Sequence, residues 1–195
     1  MFDNPTTPKS NCCSSIAGCC SSEKDIIPEK RRLTIDFLYL DLTVCSWCQG
    51  TKSSLDAAIF EVAQVLSATN IEVAVNKINV VSEEQAEELR FVSSPTIRVN
   101  GKDIQLEIKE SLCDSCQDLC GADVDCRIWI YQDKEYTTPP KAMIIEAILR
   151  EVYGNPQTPS QNTETVFEVP DNLKKFFVAM KQKLVTATAN SKKSS

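Results

Sequence analysis

Apolar positions alternate between strand and helix spacing through the first three quarters of the chain. Leu33-Thr34-Ile35-Asp36-Phe37-Leu38-Tyr39-Leu40 is mostly apolar with aromatics, and predicts a strand buried on both faces. Thr51 to Ser67 follows, with Leu55, Ala58, Ile59, Val62 and Leu66 at helical spacing. Ile71 to Val80 is rich in β-branched residues and predicts a second strand. Ser82 and Gln85 form a capping box with Glu83 and Glu84 in the first turn, so a short helix runs to about Leu89. Thr96 to Val99 predicts a strand that turns at Asn100-Gly101 and returns over Ile104 to Ile108. After an interruption, Arg127-Ile-Trp-Ile-Tyr131 alternates like a strand. Lys141 to Tyr153 then carries Met143, Ile144, Ala147, Ile148 and Val152 as the apolar set of a helix. The order is β-α-β-α-β-β, an insertion, a strand and a helix, an α/β pattern.

The flanks read differently. Residues 1–30 are rich in Ser, Asn and Pro and too poor in large apolar residues to fold alone, which predicts a flexible arm. The folded domain is expected over 31–154, with a Cys-rich insertion at 109–126 and a linker at 155–170. Asp171 is placed to cap a helix over 171–186, with Leu173, Phe176, Phe177, Met180 and Leu184 on one face. That stripe needs a surface, either its own domain or another protein. A disordered tail, 187–195, is expected to follow.

The net charge of −6 argues against a general binder of nucleic-acid phosphates. No apolar run approaches the roughly 20 residues that span a bilayer, and the polar N-terminus lacks an export signal's apolar core. A cytoplasmic protein without membrane association is the expectation. Ten cysteines in such a chain point to metal binding or redox chemistry rather than a disulfide framework. There is no histidine, which excludes Cys–His catalysis and His-ligated metals.

The cysteines fall into three groups. Cys45-Ser46-Trp47-Cys48 joins the first strand to the first helix, which sets the first sulfur at a helix N-terminus where a thiolate is favoured. Cys113, Cys116, Cys120 and Cys126 have the spacing C-x2-C-x3-C-x5-C. On a helix over 112–120 the first three would share a face, with Gly121 turning the chain so that Cys126 completes a tetrathiolate. Four thiolates suit structural zinc, or an iron–sulfur cluster; two disulfides or a redox relay are the other readings. Cys12-Cys13 and Cys19-Cys20 form two vicinal pairs in the arm, either a soft-ion ligand set or a leader with no defined ligand.

C-x-x-C after the first strand, with Ser94-Pro95-Thr96 opening the third, resembles the thioredoxin and glutaredoxin superfamily over roughly 33–153. The resemblance implies a central mixed sheet flanked by helices. It also implies a cis-proline at Pro95 packed against the redox pair, with the preceding backbone free to hold a substrate. Cys45 would then attack, Cys48 would resolve, and Trp47, Ser94, Pro95 and Thr96 would line the substrate face. The intervening Ser-Trp differs from thioredoxin's Gly-Pro, and neither Asp36 nor Asp41 stands where the usual buried acid is expected. Leu119 to Tyr131, with Glu135-Tyr136 and Pro140, further resembles an uncharacterised thioredoxin-like domain family of bacteria and archaea, which implies no activity. The vicinal cysteines are similar to those of arsenic metallochaperones.

Two functions follow. One is a thiol–disulfide oxidoreductase acting on a disulfide-containing protein or a small thiol, with the late cluster holding zinc or relaying electrons. The other is a non-enzymatic carrier of arsenic, mercury or copper that exchanges its load with metal- or metalloid-carrying partners. The C-terminal helix is a third feature, able to dock a partner.

Overall fold

The computed structural model describes residues 30–154 and 167–191. The elements are β1 (Arg31–Tyr39), α1 (Ser46–Ala68), β2 (Ile71–Asn79), α2 (Glu83–Glu88), β3 (Thr96–Val99), β4 (Lys102–Asp103), β5 (Lys109–Leu112), α3 (Asp114–Cys120), β6 (Asp125–Tyr131), β7 (Lys134–Tyr136), α4 (Lys141–Tyr153) and α5 (Asp171–Ser191). They form a mixed α/β molecule with two sheets. The first has the order β2-β1-β3-β4, with β1 and β2 parallel and the other pairs antiparallel. The second is antiparallel, in the order β5-β6-β7.

Local chemistry explains the element ends. Ser82 accepts the Gln85 N–H at 3.2 Å, while the Gln85 side chain reaches back to the Val81 N–H at 2.9 Å, so the expected cap forms at α2. Asn100 and Gly101 both hold positive φ, 49° and 78°, as a tight hairpin between twisted strands requires. A second such hairpin, at Gln132 and Asp133 (φ 51° and 60°), joins β6 to β7; the sequence pattern did not predict it.

Three expectations change. The return strand at Ile104–Ile108 does not form: β4 stops after Asp103, and Gln105 takes the following chain onto β6 instead. Its side chain donates to Ile128 O (3.1 Å) and Glu107 O (2.7 Å) and accepts the Ile130 N–H (2.6 Å). β1 is not equally buried on both faces, because Leu33, Ile35 and Phe37 are buried while Thr34 and Asp36 are half-buried. The long apolar stripe of α5 divides: Leu173, Phe176 and Phe177 are buried on the chain's own domain, Met180 is half-buried and Leu184 is exposed.

The interior has two parts. Leu33, Ile35 and Phe37 of β1 pack with α1, α4, Ile97, Val99 and Trp129 in one cluster. The other joins Leu38, Leu40, Val80 and Phe91 to six cysteines and to Leu173, Phe176 and Phe177 of α5. The six cysteines among the described residues therefore lie inside the protein, roofed by the last helix. Among the described residues no helix is long and apolar enough to cross a membrane.

Candidate metal centre

The chain reaches the site through a side-chain turn. Asp41 Oδ1 accepts the N–H groups of Thr43, Val44 and Cys45 at 2.8, 2.6 and 3.3 Å, curling the segment after β1 into the start of α1. Asp41 is therefore the organiser of this loop. Cys45 is the N-cap of α1, and its sulfur accepts the Cys48 N–H at 3.3 Å. α3 also starts at a cysteine: Cys113 is its N-cap, with no side-chain cap bond, and the Cys113 carbonyl accepts from Cys116 and Gln117 at 2.9 and 3.0 Å. The two helix starts face each other, with the Ser46 and Ser115 hydroxyls 3.0 Å apart. Gly121, at φ 77°, ends α3 in the left-handed conformation that lets the chain turn back into β6.

These turns bring the sulfurs of Cys45, Cys113, Cys116 and Cys126 within 4.8 Å of one another. Cys116 and Cys126 are 3.3 Å apart, and all four residues are fully buried. A single tetrahedral ion with metal–sulfur bonds of roughly 2.3 Å sets its ligand sulfurs about 3.8 Å apart, so small side-chain adjustments would close this set around one ion. A multi-iron cluster interposes several metals and sulfides and needs a wider set. The donors thus fit one thiophilic ion.

The electrostatics of the four thiols have the same focus. Hydrogen bonds from Cys113, Cys116, Cys126 and Cys48, in that order, hold the Cys45 thiol far below its ordinary pKa. Bonds from Cys116 and Cys126 likewise lower Cys113. Cys116 is pushed up foremost by its bond to Cys113, and Cys126 by its bonds to Cys113 and Cys116. The four thiols thus shift one another directly, as donors grouped at one point do.

Cys120 is not one of the four. It closes α3, seven residues beyond the N-cap Cys113, and that interval spans about 10 Å of helix, too far for both sulfurs to bind one ion. Its thiol donates to Ala122 O at 3.5 Å instead, and Cys45 from the other end of the domain fills the fourth position. Cys48 is also outside the set. It is buried, its sulfur lies 3.5 Å from the Ser94 hydroxyl, and its bond to Cys45 followed by burial pushes its pKa well above the ordinary value.

Trp47 is half-buried and packs beside the cysteine cluster. The Ser94–Pro95 bond is cis. Ser94, Pro95 and Thr96 are all buried, and the Ser94 carbonyl accepts the Arg127 N–H of β6 at 2.7 Å. The backbone acceptor expected to hold a substrate is thus engaged by β6. Cys12, Cys13, Cys19 and Cys20 lie outside the described residues.

Arg127 was not foreseen. Its guanidinium is fully buried, paired with Asp103 through two bonds (2.8 and 2.9 Å), and bonded to Thr96 Oγ1 (2.9 Å) and Gln105 O (2.5 Å). It also lies 4.7 Å from the Trp129 ring centre. This clamp fixes β6, and with it Cys126, against the segment below Cys48. An arginine directly after the last cysteine was the available signal, but its partner Asp103 is distant in sequence. The recurrence of C-x-x-C at Cys113–Cys116, matching Cys45–Cys48, was the signal for two equivalent helix starts.

Residues 33–148, more than half of the chain, match a family described as a domain of unknown function (DUF2703), and the chain belongs to that family. The matched segment contains all four clustered cysteines and ends within α4, so α5 lies beyond it. No curated protein and no solved structure matches the chain.

Proposed function

We propose that this protein binds one thiophilic metal ion, zinc foremost, through Cys45, Cys113, Cys116 and Cys126 in a thioredoxin-like domain. The observation that carries the reading is the convergence of four buried sulfurs from α1, α3 and β6 within 4.8 Å. All-sulfur tetrahedral coordination with no open position is the pattern of structural zinc. The mixed sheet, the C-x-x-C after β1 and the cis-proline before β3 support the thioredoxin-like assignment.

The site also bears on the disulfide-exchange reading. A dithiol enzyme must present its attacking sulfur to the substrate, and Cys45 has no exposed surface. Its helix-capping position would favour thiolate attack, but its sulfur is shared with three others under α5. The same geometry favours holding an ion over turning over disulfides. Soft carriers of arsenic, mercury or copper draw on the same ligand chemistry, and the four-sulfur set ranks a tetrahedral ion ahead of ions that favour fewer thiolates.

The test is anaerobic purification followed by elemental analysis and cobalt(II) substitution. One equivalent of metal and the intense sulfur-to-cobalt absorption of a tetrathiolate are expected. Protein that purifies metal-free and gives no such absorption with cobalt overturns the reading.

A further inference from the structure

Cys45 belongs to two constellations at once. It is one of the four clustered sulfurs, and it is the first thiol of Cys45-Ser46-Trp47-Cys48. Cys48 stands beside it on the first turn of α1, close enough that its N–H bonds to the Cys45 sulfur at 3.3 Å, yet it is not among the four. A three-residue spacing at a helix start brings two side chains onto one face, where two sulfurs can join with little backbone movement. A Cys45 sulfur bonded to Cys48 is no longer a thiolate and cannot ligate the ion. Metal and disulfide therefore exclude each other at this residue.

We propose that Cys45 and Cys48 form an oxidation site at which a hydroperoxide releases the bound metal. The inference rests on the metal reading above. The sulfurs are buried, so the reagent is small and uncharged, with hydrogen peroxide as the type. The Cys45 thiolate attacks one peroxide oxygen, breaking the O–O bond; Cys45 becomes a sulfenic acid and hydroxide leaves. The Cys48 sulfur then attacks the Cys45 sulfur. A disulfide forms, the sulfenic oxygen departs as hydroxide, and the Cys48 proton converts it to water. Two electrons pass from the two sulfurs to the peroxide. The ion is left with three ligands from α3 and β6 and dissociates. Reduction by a dithiol restores both thiols and the fourth ligand.

Cys113 and Cys116 share the same spacing, but both are ligands, so their oxidation would dismantle the site rather than switch one donor. The Cys120 thiol is turned to Ala122 O. Among the described residues, Cys48 is the thiol that stands next to a ligand sulfur and is free of the set.

The full-length zinc-loaded protein is treated with hydrogen peroxide in the presence of a chromogenic zinc chelator, and the linkages are mapped by non-reducing peptide mass spectrometry. Release of one zinc with a Cys45–Cys48 linkage is expected, reversed by dithiothreitol. Cys48→Ser should take up one zinc as before but, lacking the thiol that resolves the sulfenic acid, should carry Cys45 on to sulfinic acid under excess peroxide, so that dithiothreitol no longer restores zinc binding. Cys48→Ala is the second variant, with zinc stoichiometry as the check on folding in both. Full restoration of zinc binding by dithiothreitol in both oxidised variants, or a Cys113–Cys116 linkage as the first product, overturns the inference and leaves the metal reading standing. Failure of the wild-type protein to bind zinc or cobalt removes the metal reading, and this inference with it.

Discussion

At the scale of single residues, the site depends on where each sulfur falls relative to a helix end. Cys45 and Cys113 are N-caps whose sulfurs belong to the four-sulfur set, whereas Cys120, at the far end of α3, is a buried thiol facing a carbonyl. Cys45→Ser should therefore weaken zinc or cobalt binding by more than the roughly 10–100-fold that loss of a supporting outer partner costs. Cys120→Ser should leave the stoichiometry at one. Competition titration against a chelator of known affinity separates the two outcomes. Arg127 gives a second contrast. Asp103→Ala leaves a buried guanidinium without its counter-charge and should cost about 3–5 kcal/mol, read as a fall in the urea midpoint. Arg127→Met removes the charge as well and should cost less than Asp103→Ala, because an apolar chain of similar volume replaces the ion.

At the scale of elements, α5 is the roof of the cysteine cluster. Its second residue, Asn172, pairs with the backbone of one residue: its Oδ1 accepts the Asp125 N–H at 2.9 Å and its Nδ2 donates to Asp125 O at 2.8 Å. The same Nδ2 lies 3.2 Å from Glu110 Oε1. Behind this anchor Leu173, Phe176 and Phe177 bury themselves over the sulfurs, the two phenyl rings edge to face at 5.6 Å. Asn172→Ala should loosen the roof and speed zinc transfer to an external chelator at unchanged stoichiometry, a stopped-flow measurement. Glu110 adds a pH dependence. Burial pushes its carboxyl above the ordinary 4.5, the Asp125 charge adds to this, and the Asn172 amide opposes it. The folded state thus holds this proton more tightly than the unfolded chain. Its contribution is full below pH 4.5 and is lost as pH rises through the folded value. Glu110→Gln should therefore gain stability relative to wild type between pH 4.5 and neutrality, tested by urea unfolding of the metal-free protein.

At the scale of the whole molecule, the metal reading makes the ion a cross-link between the start of α1 and the insertion. An ion that binds the folded chain alone, at a thousandfold over its dissociation constant, stabilises it by about 4 kcal/mol. Chelation should lower the melting temperature accordingly, and readdition of zinc should restore it; calorimetry checks both. Much of this architecture was legible in advance. Thr96–Val99 and Lys141–Tyr153 carry their own spacing and breakers, and both form with the expected bounds. The Ser82–Gln85 cap and the Asn100-Gly101 hairpin rest on local backbone chemistry that neighbours in sequence decide. The loss of the Ile104–Ile108 strand was not legible, because Gln105 and Arg127 choose partners distant in sequence, and the β6–β7 hairpin was not because its turn holds positive φ at Gln132 and Asp133 without a glycine to mark it. The membership of the cysteine cluster belongs to the same category. By itself the sequence determined that any metal here would be held without histidine, and that Cys45 and Cys48 would open a helix. Only the tertiary structure decided that Cys45 joins Cys113, Cys116 and Cys126 while Cys120 does not, and that α5 closes over them. The reason is physical: periodicity and caps act within a few residues, whereas four sulfurs share a volume only after two sheets and a returning helix have packed.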